Sequence, residues 1–321
     1  MTKNLPPYGL LPKRYSATPL ADLDPPQDFN ALLVPNVSKR RNEKNVFVQE
    51  FADYIKDRYW PIWSQSTGDW EGISKNSIIE FTEQDLELLL PLRFLLRTFV
   101  EFNDEALMKT HGECFDLENP LDAPPPDLNF GAFRFYVLDL DDKWLQAFPS
   151  LFYDALDNKV GPLTIHWKSI FQRPRAYQAA LLLNRTDLSH ILAPTALHPS
   201  LVSGHCMQGV FGGMGVHLLW RRAIDSKTVY LPGVRAALEQ YSTDFGDRRV
   251  LAGVHYPSDS LISWIACSWL IEHVVKPDEI EEAKLFLRAC IQRSRVWAEV
   301  RKHKNFNCEA YTKLVDEVSR L

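Results

Sequence analysis

A chain of 321 residues, 45% of them hydrophobic and nine of them Trp, can bury a large core, so one large domain or a core domain with an appended one is expected. The net charge of −5 comes without a long basic stripe, which argues against a nucleic-acid surface. The five cysteines, Cys114, Cys206, Cys267, Cys290 and Cys308, are widely spaced with no CxxC pair and read as reduced, buried thiols.

The amino-terminal MTKNLPPYGLLPKRYSATP lacks an apolar run of about 7–15 residues before a small-residue cleavage site, so a secretory signal is not expected and the cytoplasm is the expected compartment. Residues 1 to 45 hold many prolines and the cluster Lys39-Arg40-Arg41, which suggests an arm laid over a surface with its charges solvated. Apolar residues recur at helical spacing from Val46 to Trp63 and from Thr82 to Leu107. The second run opens with Thr82-Glu83-Gln84-Asp85 as a capping box, and Pro91 should kink or split it. Asp116 to Asn129, with Pro120 and Pro124 to Pro126, reads as a loop or boundary. The organisation expected is an arm (1–45), a helical extension and loop (46–130) and a helical core (131–321).

Within that core, Phe135 to Leu138 can form a short extended piece. Asp141 to Asp157, Ala176 to Leu183, Gly204 to Arg222, Val234 to Gln240, Pro257 to Val275 and Pro277 to Lys302 favour helix. Neither an internal repeat nor the alternation of strands and helices that a parallel sheet demands is present. A mainly α bundle is the expected fold. Its most apolar stretch, Leu261 to Val275, is 15 residues long and carries Glu272 and His273, short of the roughly 20 residues a bilayer requires.

Three short blocks carry the chemistry. Lys168 and Arg175 are seven residues apart, which on a continuous helix places both on one face. Pro174 suggests instead that the helix ends before Arg175 and that the arginine approaches from the next turn. A guanidinium fork and a mobile ammonium suit a phosphate; alone, the pair with Arg173 reads as a solvated basic helix end. In Ser203-Gly204-His205 the serine is a helix N-cap candidate, and Gly204 lets an oxyanion approach the unpaired amides of the helix start. From Gly209 onward the glycines suit close helix packing. In Arg249-Val-Leu-Ala-Gly-Val-His255-Tyr-Pro-Ser-Asp259, Gly253 and Pro257 end one helix and start another. His255 then stands just before a helix start, with Asp259 one turn on, able to accept the Nδ1 proton and aim Nε2 at a substrate. A lone His and Asp at this spacing more often make a helix-cap pair. Together the blocks supply three cations, an amide corner, two imidazoles and a carboxylate, the set that phosphoryl transfer needs.

These blocks resemble the signature of the superfamily that joins type 2 phosphatidic acid phosphatases, bacterial non-specific acid phosphatases and vanadium-dependent haloperoxidases: K-x6-R-P, then P-S-G-H, then S-R-x5-H-x3-D. The resemblance covers about residues 160 to 270, and all eight chemical positions are retained; the first third of the chain contributes nothing to it. Departures fall at shape positions, with Ala176, Val202 and Arg248 in place of proline, proline and serine.

The resemblance implies a mainly α haloperoxidase or acid-phosphatase type of bundle with an N-terminal helical extension. It further implies a metal-independent phosphomonoesterase, and the lack of a membrane span in the sequence makes a soluble enzyme acting on a small soluble phosphate ester the expectation. His255 would be the nucleophile, Asp259 its orienting partner and His205 the proton donor; Lys168, Arg175, Ser203, Gly204 and Arg249 would hold the phosphoryl oxygens. Under the rival enzyme reading the same pocket holds vanadate with His255 as vanadium ligand and oxidises halide with peroxide. His198, seven residues before His205, is similar to a second histidine of the bromoperoxidases, and its plainer reading is an ordinary loop histidine. A catalytically degenerate member acting as a helical interaction module is the third reading, and assembly into a homo-oligomer stays open. His166, His190, His198, His205 and His217 form no common zinc spacing, so no protein-bound metal is expected. Cys206 points about 100° away from His205 on a helix, so a buried thiol is expected rather than a nucleophile.

Overall fold

The computed structural model describes residues 15–16, 43–59, 75–101, 137–138, 160–185, 187–188, 198–223 and 232–321. The expected helix at 141–157, the expected loop at 116–129, Lys39-Arg40-Arg41 and His190 lie outside them. The described chain is a helical bundle: α1 (Glu43–Tyr59), α2 (Lys75–Glu101), α3 (Gly161–Phe171), α4 (Ala176–Leu182), α5 (Gly204–Ala223), α6 (Pro232–Leu251), α7 (Pro257–Val274), α8 (Ile280–Arg293), α9 (Arg295–Val300) and α10 (Glu309–Val318). A two-residue parallel pair, Tyr15–Ser16 with Val137–Leu138, is the only sheet among the described residues.

The bundle is built around α7. From Pro257 to Cys267 every residue of it is buried, as are Leu270 and Ile271, while Glu272 and His273 reach solvent at its end. The most apolar stretch of the sequence is thus the central core helix. Among the described residues no helix is long and apolar enough to cross a membrane. Helices α2, α5, α8, α9 and α10 all pack against α7.

The most extensive helix pair is α5 against α6, and small residues set its spacing. A Cβ at Gly209 or Gly213 would overlap Ser242, and one at Gly246 would come within 2.8 Å of Cys206 Cα. Close packing is therefore the reason for Gly209 and Gly213, and Gly246 does the same from the opposite helix.

Several elements differ from the sequence expectation. Helix α2 starts at Lys75, so Thr82 to Asp85 lie inside it and form no capping box; Pro91 sits within the helix without splitting it. Helix α6 runs to Leu251, well past Gln240, because its apolar face continues through Tyr241, Phe245 and Val250. The expected single helix from Pro277 to Lys302 is broken at Ser294, whose hydroxyl accepts from Trp297 N at 3.1 Å and donates to Asp247 Oδ1 at 2.8 Å. A buried carboxylate at this point recruits the amides of Arg295 and Val296 and starts a new helix. Helix α10 was not anticipated, although Ala310, Tyr311, Leu314 and Val318 line one buried face of it.

Candidate functional site

The first block is a turn between two helices. Helix α3 stops at Phe171, and Gln172 adopts a left-handed conformation (φ 48°) with its amide on Lys168 O at 3.0 Å. Arg175 is the extended cap of α4, its amide donating to Gln178 Oε1 at 2.8 Å. Lys168 in the last turn of α3 and Arg175 at the head of α4 therefore meet one loop. Lys168 Nζ donates to Pro199 O at 2.6 Å and Ser200 O at 2.9 Å. Arg175 Nε donates to His198 O at 2.6 Å, and its Nη1 to Val254 O at 3.0 Å.

Ser203 caps α5, its hydroxyl accepting from Cys206 N at 3.3 Å while its own amide donates to Ser263 Oγ at 3.0 Å. Unlike the packing glycines, Gly204 leaves room beside the chain: a Cβ there would meet only Thr164 Oγ1, at 3.7 Å. His205 is buried with its ring stacked on Phe245 at 5.3 Å between centroids. Its Nε2 has no hydrogen-bond partner among the described residues, and the same holds for Gln208 Oε1 one turn on.

In the third block Gly253 takes φ 75°, which favours glycine, and lets the chain leave α6 for the extended cap Tyr256. Asp259, at the third position of α7, accepts on Oδ2 from Tyr256 N at 3.1 Å, from His255 Nδ1 at 2.9 Å and from Ser200 Oγ. Helix capping and histidine orientation are thus one arrangement. His255 Nε2 lies 2.7 Å from Arg175 Nη1. A guanidinium only donates and a carboxylate only accepts, so the imidazole carries its proton on Nδ1 and offers a lone pair at Nε2.

The structure brings Lys168, Arg175, His205, His255 and Asp259 into one buried cluster, each no more than 6% exposed. Arg249, buried in the last turn of α6, acts electrostatically on both Lys168 and His205. His198 is exposed and touches the cluster through its backbone carbonyl. Arg248, which stands in place of the motif's serine, is fully buried. Cys206 is a buried thiol pushed up by desolvation. Among the described residues no group of His, Cys, Asp and Glu could hold a metal ion.

Sequence reasoning missed the residues behind Asp259. Arg173 is no solvated helix end: it is fully buried, with Nη1 on Asp259 Oδ1 and Nη2 on Asp85 Oδ2, both at 2.7 Å. Asp85 in turn accepts from Ser258 N at 3.0 Å, from Tyr311 OH at 2.8 Å and from Ser258 Oγ. The available signal was Asp85 itself, an acid on the buried face shared by Phe81, Leu88, Leu89 and Leu92.

Burial dominates the electrostatics. Desolvation, then Arg175, holds His255 well below the usual histidine range, with the Asp259 hydrogen bond opposing. Desolvation, then Arg249, His255, Arg175 and Lys168, does the same to His205. Lys168 is held well below the usual lysine range by desolvation and then by Arg175, and desolvation brings Arg175 down to about 10. Burial would lift the Asp259 carboxyl, but Arg173, then the His255 hydrogen bond, hold it well below the carboxylate range. Burial and the neighbouring basic groups thus favour the neutral form of both imidazoles, and Arg173 favours the ionised form of Asp259.

No family model, curated protein or solved structure matches the chain. Its chemistry is read from the residues alone. Lys168 Nζ meets only backbone carbonyls, and no carboxylate lies in ion-pair contact with it among the described residues. A lone pair at His255 Nε2, a His205 Nε2 without a hydrogen-bond partner among the described residues and the Lys168 amino group on two backbone carbonyls form a cluster suited to an oxyanion.

Proposed function

We propose that the chain is a phosphomonoesterase of the haloperoxidase and acid-phosphatase type, working through a phosphohistidine. The observation that carries this reading is the placement of His255 between two partners of opposite hydrogen-bonding sense: Nδ1 lies 2.9 Å from Asp259 Oδ2 and Nε2 lies 2.7 Å from Arg175 Nη1. An entering phosphoryl group would take up the guanidinium and meet the lone pair it has been covering.

The ester phosphate would sit between Lys168, Arg175, Arg249 and the start of α5 at Gly204, where the helix amides and the cations balance its charge. His255 Nε2 attacks phosphorus and the P–O bond to the alcohol breaks, the departing oxygen taking a proton from His205. Water then gives a proton to His205 and attacks phosphorus, releasing phosphate and neutral His255. His205 must be protonated for the first step. Burial first, and then the neighbouring basic groups, depress its protonation, and the bound ester's negative charge opposes them. Asp259 supports the positive charge that grows on His255.

Vanadate, an oxyanion of matching shape, would be held by Lys168, Arg175, Arg249 and His255 Nε2, and when bound it would supply peroxide activation. The phosphatase reading is preferred because His198, the residue that would distinguish the peroxidase, contributes a backbone carbonyl rather than its ring. Purified protein should release phosphate from an aryl phosphate in the presence of chelator, with inhibition by vanadate. Absence of turnover from acid to neutral pH would remove the proposal.

A further inference from the structure

We propose that Asp85 and Arg173 are positioning residues for His255, acting through Asp259; this rests on the phosphatase reading of the site. The chain of contacts is continuous: Asp85 Oδ2 to Arg173 Nη2 and Arg173 Nη1 to Asp259 Oδ1, each 2.7 Å, then Asp259 Oδ2 to His255 Nδ1 at 2.9 Å. Each oxygen of Asp259 has a separate task. Arg173 holds Oδ1, which fixes the plane of the carboxylate and leaves Oδ2 to face the imidazole. Asp85 holds the far side of the same guanidinium, which also stacks over the Tyr256 ring with Cζ 3.7 Å from its centroid.

This makes residues remote in sequence part of the site. Asp85 comes from α2, and Tyr311, which donates to it at 2.8 Å, comes from α10. A buried guanidinium between two carboxylates contributes little net stability compared with apolar packing. It does fix a charge. Arg173 draws the negative charge of Asp259 towards itself, weakening its pull on the His255 proton; Asp85 draws Arg173 the other way.

The groups that set the titration of His255 come from several helices. Lys168 comes from α3, Arg175 from the head of α4, His205 from α5 and Asp259 from α7. Arg249 on α6 acts on Lys168 and His205, and the buried phenols of Tyr256 and Tyr311, pushed up by desolvation, stay neutral. Removing Arg173 should therefore raise the pH at which His255 protonates, and neutralising Asp85 should lower it.

The test uses the full chain with Arg173→Gln, Arg173→Lys and Asp85→Asn, each checked for folding by circular dichroism. In the rate profile of kcat/KM for an aryl phosphate, the acid-side midpoint should rise by about one pH unit in Arg173→Gln and fall in Asp85→Asn. Arg173→Lys should recover part of the difference, and KM should change less than kcat. Nitrogen NMR of histidine-labelled protein supplies a readout independent of turnover: His255 should be the Nδ1–H tautomer in the wild type and titrate with the same opposite displacements. Turnover with both midpoints unmoved overturns the positioning role and leaves the phosphatase reading standing. No turnover in the wild type, with the NMR displacements present, removes the phosphatase reading and upholds the contact chain. Should Arg173→Gln fail to fold, Asp85→Asn alone decides, and an unmoved or raised midpoint in it overturns the proposal.

Discussion

His255 Nδ1 lies 2.9 Å from Asp259 Oδ2, and the same oxygen accepts the cap amide of Tyr256 at 3.1 Å. One carboxylate therefore starts α7 and fixes the imidazole. Asp259→Asn would place an amide where Tyr256 N, His255 Nδ1 and Ser200 Oγ need an acceptor and leave Arg173 paired on one side only. Turnover is expected to fall by about 10⁴-fold, as when an orienting carboxylate loses its charge. Stability should fall by about 3–5 kcal/mol, the usual cost of breaking a buried ion pair. Steady-state kinetics and denaturant unfolding measure the two, and an unchanged kcat contradicts the orienting role.

The glycines of α5 divide by function. Gly209→Ala drives a methyl into Ser242 O and to 3.0 Å from Phe245 Cβ. It should cost about 1–3 kcal/mol in denaturant unfolding. Gly204→Ala meets only Thr164 Oγ1 at 3.7 Å. It should keep its stability within about 1 kcal/mol, given Gly's helix penalty relative to Ala, yet bind inorganic phosphate more weakly. Equal unfolding costs for both variants would show that Gly204 is a packing residue too.

Stability should also depend on pH through the buried imidazoles. His205 and His255 are held below the ordinary histidine value of about 6.5, so the unfolded chain binds more protons than the folded one just below that pH. Stability is then complete above about 6.5 and is lost as pH falls towards the folded values. Asp247, lifted by burial to about 6, works in the opposite sense over its own range. A comparison isolates the effect: His205→Asn should lose less melting temperature between pH 7 and pH 5 than the wild type. Identical losses contradict a depressed His205.

Arg175 donates to His255 Nε2 and to the carbonyls of His198 and Val254. Arg175→Ala should weaken inorganic phosphate binding by about tenfold or more, about 1.4 kcal/mol, and lower kcat as well, because the guanidinium faces the anion in both ground and transition states. Calorimetric titration with phosphate and initial rates test this. Retained affinity would move Arg175 out of the anion cradle.

How far the sequence carried the structure depended on whether a signal was local. The break at Gln172 to Arg175, the cap at Ser203 and the start of α7 at Pro257 were legible because proline, serine and helix periodicity act over a few residues. Side chains from all three blocks, Lys168, Arg175, His205, His255 and Asp259, lie in one buried cluster. Asp85 and Tyr311 were not legible, since they reach Arg173 across 88 residues and Asp85 across 226 residues of chain respectively. Only tertiary packing makes those contacts. An arginine at a helix end is usually solvated, and only two opposed carboxylates make the burial of Arg173 tolerable. Ser294 broke a helix because a buried Asp247 from another helix competes for its amides.

The nucleophile is the claim on which the rest depends, and trapping it tests that claim most directly. His205→Ala, mixed with an aryl phosphate whose leaving group needs little protonation and quenched under alkaline conditions, should accumulate a phosphoenzyme, and peptide mapping should place the phosphoryl group on His255. His255→Ala should give neither label nor turnover. A phosphoryl group found on another residue, or turnover that survives in His255→Ala, would contradict the mechanism.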